Sequence, residues 1–198
     1  MKRTKEEAEE TRKNLINIAL REFVKHGYDK ITLENIAQKA GVTRGAIYWH
    51  FKNKSDLMES LIKQKDYESL EIMKNIFEAQ DLTPLAKLED LVFGNFPDLN
   101  DKEAKNYARI KLDLYMSYIK HGDKRKIGIT FVKYISSLIK ELQQSGVFKK
   151  NIDADETAFT IFTLLGGLIM RFNIGSPGHK TMQSLRNVLK TYIEQIKN

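Results

Sequence analysis

The chain contains no cysteine, which excludes a disulfide framework and any centre built on thiolates. It has no apolar run long enough for a membrane. Its most apolar stretch, Thr157 to Met170, holds 14 residues without a charge, whereas a bilayer-spanning helix needs about 20. That stretch therefore reads as a helix buried within protein. The first residues, MKRTKEEAEE, are charged rather than apolar, so no secretory signal is expected and the expected location is the cytoplasm, without a membrane partner. Internal repeats, low-complexity tracts and strand-like alternation are absent as well. So are HExxH, GxSxG and glycine-rich phosphate loops. The four histidines, His26, His50, His121 and His179, each stand near a helix end or in a turn rather than as a metal pair. Ser117-Tyr-Ile-Lys120 and Ser137-Leu-Ile-Lys140 spell S-x-x-K, but without its partner motifs. Neither catalysis nor a metal or cofactor is expected.

What remains is ample for a core: 198 residues, 41% of them hydrophobic. The net charge is +7, and it is uneven. Residues 1–54 carry 12 Lys/Arg against 7 Asp/Glu, a net +5, leaving +2 for the rest. A basic excess in one third of the chain suits contact with a polyanion.

The chain is organised around Ile31 to Leu57, which reads as helix, tight turn, helix, break, helix. Thr32 stands as N-cap of the first helix, with Ile31 and Ile36 as a hydrophobic staple. Gly41 stops that helix, and Val42-Thr43 repeats the start signal. In the second helix, about Arg44 to Phe51, the residues Ala46, Ile47 and Phe51 can pack on the first. Tyr48 and Trp49 either join Phe51 in an aromatic core or, with His50 beside them, face a partner. A helix of seven or eight residues that shows water an Arg, a Tyr, a Trp and a His is costly unless something covers it. A helix-turn-helix that inserts its second helix into a major groove supplies the cover.

Around this unit the reading is all-α, with about nine helices. Thr4 to Glu7 has capping-box spacing, and the helix it opens, with Leu15, Ile18, Ala19 and Phe23 inward, ends at His26-Gly27. Asn53 caps a helix of some 25 residues that runs to about Gln80. Thr83 and Pro84 open the next. A helix from Asn100 or Asp101 is apolar over more than half its circumference, with Arg109 and Asp113 on the remaining arc. Further helices are expected up to Ser145-Gly146, over Thr157 to Met170, and at the C-terminus. Gly166-Gly167 costs helix propensity, roughly 1 kcal/mol per Gly against Ala, which makes sense where another helix packs close. Met182, Leu185, Leu189, Tyr192 and Ile196 have the 3-4 spacing of a coiled-coil-like seam. The last two helices thus look like half of a four-helix bundle, the other half coming from a second copy of the chain.

The stretch TLENIAQKAGVTRGAIYWHFKNKSDL resembles the DNA-binding signature of TetR-type transcriptional repressors. With the leading RTKEEAEETRKNLINIAL it is similar to their AcrR-like branch, which controls multidrug efflux. The resemblance runs over roughly Arg3 to Leu61. It implies a three-helix DNA-binding domain over 1–54, a helical ligand-binding and dimerisation domain over 55–198, and a homodimer through the two C-terminal helices on a palindromic double-stranded operator. The DNA-facing positions it implies are Thr43, Arg44, Gly45, Tyr48, Trp49 and His50, with Thr32 and Lys54 opening the flanking helices.

In the second half, aromatic residues exceed what a small helical core usually needs. A mostly apolar pocket lined by some of Phe77, Phe96, Tyr107, Ile110, Leu114, Tyr134, Leu138 and Phe162 is expected, fit for a hydrophobic small-molecule inducer. Three readings stay open: a ligand-responsive repressor, a DNA-binding regulator on the same fold without an inducer, and an interaction module that has lost DNA binding. Intact Arg44, Tyr48, Trp49 and Lys54 argue against the third.

Overall fold

Local hydrogen bonds at helix ends set the element boundaries. The computed structural model of the chain describes residues 4–94, 109–110, 126–174 and 179–198. Thr4 opens α1 (Lys5–His26) with a reciprocal capping box to Glu7, and Gly27, at φ 89°, ends it. Thr32 opens α2 (Leu33–Lys39), its side chain and backbone N–H both exchanging hydrogen bonds with Asn35. Gly41 turns the chain at φ 67°, where a side chain would be strained, and the Val42 N–H reaches back to the Ala37 carbonyl at 3.0 Å. Thr43 then caps α3 (Arg44–His50), Asn53 caps α4 (Lys54–Glu78), and Thr83 with Pro84 opens α5 (Pro84–Phe93). Beyond these lie α6 (Lys126–Gln144), α7 (Ala154–Ile174) and α8 (His179–Gln195). Arg109 and Ile110 are helical too. The rest of the helix expected from Asn100 or Asp101, including Asp113, lies outside the described residues, as does the turn expected at Gly175 to Gly178. Among the described residues there is no strand, only an isolated bridge between Phe148 and Lys197.

Two hydrophobic cores result. The first gathers Leu15, Ile16, Ala19 and Phe23 of α1, Leu33 and Ile36 of α2, Ile47 and Phe51 at α3, and Leu57, Met58, Leu61 and Ile62 of α4. The second joins Met73 of α4 to Leu88, Leu91 and Val92 of α5, Ile135, Leu138 and Ile139 of α6, Ala158 and Ile161 of α7, and Leu189, Ile193 and Ile196 of α8. The helix α4 serves both. Between Ile62 and Leu70 none of its residues is buried, and the stretch is held by polar pairs: Lys63 with Glu59, Lys65 and Gln64 with Glu68, and Gln64 with Asn17. The first core thus takes in the start of α4, and the changeover falls inside that helix rather than ahead of it.

The C-terminal part of the seam packs within the chain. Leu189 is fully buried and Ile196 nearly so against the chain's own second core, with Tyr192 packed beside them. A 3-4 spacing specifies an apolar stripe but not the owner of the surface it meets, and here that surface is intramolecular. The side chains of Met182 and Leu185 lie outside the described residues. Gly166 and Gly167 have no close neighbour within the chain: a Cβ built on either meets nothing within 4 Å.

Candidate nucleic-acid interface

Two of the last five residues of the α3 turn region face inward. Ile47 and Phe51 are almost fully buried, four apart on the side that meets α1 and α2. This orientation fixes the opposite face. The Arg44 side chain is 75% exposed, Trp49 is 73% exposed and Tyr48 42%. The Trp49 ring leans edge-on against His50, with centroids 4.6 Å apart. Thr43 accepts the Ala46 N–H at 3.2 Å, a bond that leaves the hydroxyl proton for another acceptor. At Gly45 an added Cβ would meet only Thr43 Oγ1, at 3.9 Å. Glycine there is not required by packing within the chain.

A residue that sequence reasoning missed completes this surface. Glu34, in the first turn of α2, accepts the Tyr48 hydroxyl at 2.9 Å and lies 3.2 Å from Arg44 Nε, both through Oε1. The Arg44 guanidinium in turn sits over the Tyr48 ring, 5.5 Å from its centroid. The Glu34 carboxyl is held below its ordinary range, chiefly by its own backbone N–H at the helix start and then by the Tyr48 hydroxyl. An acidic residue at N2 of a helix is ordinary dipole complementarity in sequence. Only the crossing of α2 and α3 brings it to Arg44.

Thr32 and Lys54 are engaged within the fold. The Thr32 hydroxyl donates to Asn35 Oδ1 and accepts from the Asn35 N–H. The Lys54 ammonium donates to the carbonyls of Tyr28, Asp29 and Ile31 at 2.9, 3.4 and 3.0 Å, and stands 4.2 Å from the centroid of the Tyr28 ring. Three N–H donors thus meet three carbonyl oxygens, closing the loop between α1 and α2 onto the start of α4. Arg12 supplies a second brace: its Nη2 donates to the buried Ser60 at 2.6 Å and its guanidinium lies over the Phe51 ring at 5.1 Å.

The residues expected around an inducer divide. Phe77 stacks on Tyr134 with ring centroids 4.3 Å apart and planes 7° from parallel, and Leu138 and Phe162 belong to the same second core. Phe131 and Phe162 form a tilted pair at 5.9 Å. Gly128 makes room for that ring, since a Cβ there would stand 3.0 Å from Phe162 Cζ. The Lys87 ammonium from α5 donates to the Phe77 carbonyl at 3.0 Å and so pins the end of α4 beside the stack. Ile110 packs elsewhere, buried in the first core. Phe96, Tyr107 and Leu114 lie outside the described residues.

Among the described residues no group of His, Asp and Glu is arranged to hold a metal ion, and no helix is long and apolar enough to cross a membrane. Residues 15–70, which contain α2, the turn and α3, match the bacterial regulatory proteins of the tetR family. The chain is 32% identical over 178 residues to the HTH-type transcriptional regulator TtgR of Pseudomonas putida, covering 87% of this chain and 84% of that one. It is 27% identical over 205 residues to the HTH-type transcriptional repressor BepR of Brucella suis, covering 100% and 97%. The fold matches that of SmeT in its complex with triclosan, with a TM-score of 0.68 over 95% of this chain and 92% of that one, at 19% identity; SmeT is the repressor of the Stenotrophomonas maltophilia multidrug efflux pump SmeDEF. With relatives of this identity along most of its length and an exposed helix-turn-helix face to match, the chain is a DNA-binding transcriptional regulator rather than an enzyme, and it belongs to the TetR family.

Proposed function

We propose that the chain is a cytoplasmic repressor that binds a palindromic operator as a homodimer and is released by a hydrophobic small molecule. The observation that carries the DNA half of this reading is α3, a seven-residue helix that presents Arg44, Tyr48 and Trp49 to solvent while anchored through Ile47 and Phe51. Thr43, Gly45 and His50 complete the face laid in the major groove. Lys54 and Thr32 hold the elements that aim it.

Dimerisation is supported by one face of α7. Phe159, Thr163, Gly166, Gly167 and Met170 follow at helical spacing and are all exposed, Phe159 by 61%. Exposed Val188 on α8 adds to this apolar surface. The two glycines permit the close helix approach expected of them, with a helix of the second copy as partner. Such a surface on a lone chain would be an aggregation liability.

The inducer half is supported by the Phe77–Tyr134 stack at the far end of α4 from the DNA-binding core. A ligand that separates the two rings, or slides between them, acts on a helix that belongs to both cores. It can weaken operator binding only by preferring one placement of the reading heads over the other. The structure of SmeT in complex with triclosan and the relative BepR, a transcriptional repressor, agree with this reading. The test is to titrate a hydrophobic biocide such as triclosan with and without operator duplex. A coupling of about 1 to 3 kcal/mol would separate the two affinities about 5- to 150-fold. Equal affinities would favour a regulator without an inducer.

A further inference from the structure

The Tyr48 hydroxyl has one proton, and Glu34 takes it. A phosphate oxygen only accepts, so Tyr48 has nothing to donate to the DNA backbone while this bond stands. The Nε–H of Arg44 is committed in the same way, since the same Glu34 oxygen lies 3.2 Å from it. A guanidinium has five N–H donors in a fixed fork, and with Nε occupied the pair of terminal nitrogens is left as its free edge. The Tyr48 ring beneath the guanidinium limits its rotation. The edge that remains can still span O6 and N7 of guanine with two parallel N–H donors.

We propose that Glu34 is the positioning residue that commits Arg44 to a guanine: its Oε1 takes the Nε–H of Arg44 and the hydroxyl proton of Tyr48, so that a residue outside the recognition helix sets the base this helix reads. The inference rests on the DNA-reading role of α3 argued above. It has a cost that can be measured. A carboxylate on a face meant for DNA repels phosphates, so Glu34 lowers affinity for every duplex while raising selectivity. It is charged at neutral pH, its carboxyl lying below the ordinary range.

The experiment selects binding sites for the full-length protein from a randomised duplex library. It then measures affinity for the selected site and for a scrambled duplex. Wild type is expected to select a site with a G·C pair whose preference Arg44→Ala relaxes. Glu34→Ala should relax the preference at that same pair, lower the ratio of selected to scrambled affinity by about tenfold, and bind the scrambled duplex more tightly. Combined with Arg44→Ala it should lower the ratio no further. Glu34→Gln keeps an oxygen at the Oε1 position and loses the charge, so it should retain the preference while also binding scrambled DNA more tightly. The inference is overturned if Glu34→Ala selects the wild-type site with an unchanged ratio. It is overturned in a second way if Glu34→Gln creates a preference at a different base pair, which would mean that Glu34 itself touches a base. A wild-type protein that selects no site would instead remove the DNA-reading role, and the inference with it; unchanged variants of a selective wild type remove the inference alone.

Discussion

Replacing Lys54 by methionine separates two roles that sequence alone leaves entangled. A lysine beside a recognition helix invites the role of phosphate contact. In the fold its ammonium has hydrogen bonds of 2.9 and 3.0 Å to the Tyr28 and Ile31 carbonyls, a longer one of 3.4 Å to Asp29, and the Tyr28 ring at 4.2 Å. Methionine keeps the length of the stem and removes every one of these. The site is half-buried, so the charged hydrogen bonds are screened. About 1 kcal/mol for each of the two shorter bonds and about 0.5 for the ring gives about 2.5 kcal/mol. In a chain of this size that lowers the midpoint of thermal unfolding by roughly 5 to 10 °C. Urea denaturation followed by circular dichroism measures the loss, and anisotropy titrations over a range of salt measure the DNA side. A lysine released from phosphate would reduce the slope of log K against log salt by about 0.9. A brace leaves the slope as in wild type. Lys54→Met with unaltered stability and a slope lower by about one would refute the reasoning.

Gly45→Ala should raise stability by about 0.5 to 1 kcal/mol, because the added methyl meets only Thr43 Oγ1 at 3.9 Å, and yet weaken operator binding; a melt and a titration on the same sample check both signs. Phe159→Glu should give a folded monomer in light-scattering chromatography, since its side chain is exposed on the proposed dimer face. Leu189→Ala, fully buried in its own chain, should instead cost about 2 to 5 kcal/mol of stability. Glu34 should behave with acid as a group of lowered folded-state pKa. Its stabilisation is present above the ordinary value of 4.5 and lost as pH falls through the folded one, so the melting difference between wild type and Glu34→Gln should hold steady from neutral pH and shrink only below that value.

The parts legible in the sequence are those whose physics spans three or four residues. Thr4, Thr32, Thr43, Asn53 and Thr83 each cap the helix expected of them, because a cap is a bond between a side chain and a backbone N–H two or three positions on. The exposed face of α3 was legible for a related reason: once Ile47 and Phe51 are buried, the helical period leaves Tyr48 and Trp49 no choice. Glu34 was illegible as a partner of Arg44, since nothing local says that α2 crosses α3 with that side inward. The clasp of Lys54 on carbonyls 23 to 26 residues away and the Arg12–Ser60 bond across 48 residues are likewise products of the chain path. Tertiary placement also reassigned apolar residues of correct character: Leu189 turned to its own core and Ile110 to the DNA-binding one.

Among the described residues, Ile110 gives the DNA-binding core a second attachment besides α4, at a residue far along the chain. A body hung from one shaft turns freely about it. Fastened at a second point as well, it loses that rotation and keeps only a rocking motion about the line joining the two attachments. In a dimer, rocking changes the distance between two recognition helices, while free spinning would blur their orientation on the duplex. The middle of α4 is held by polar pairs rather than by a core, so a rocking of this kind would bend the helix there without opening either core, and the buried Ile110 would set its axis.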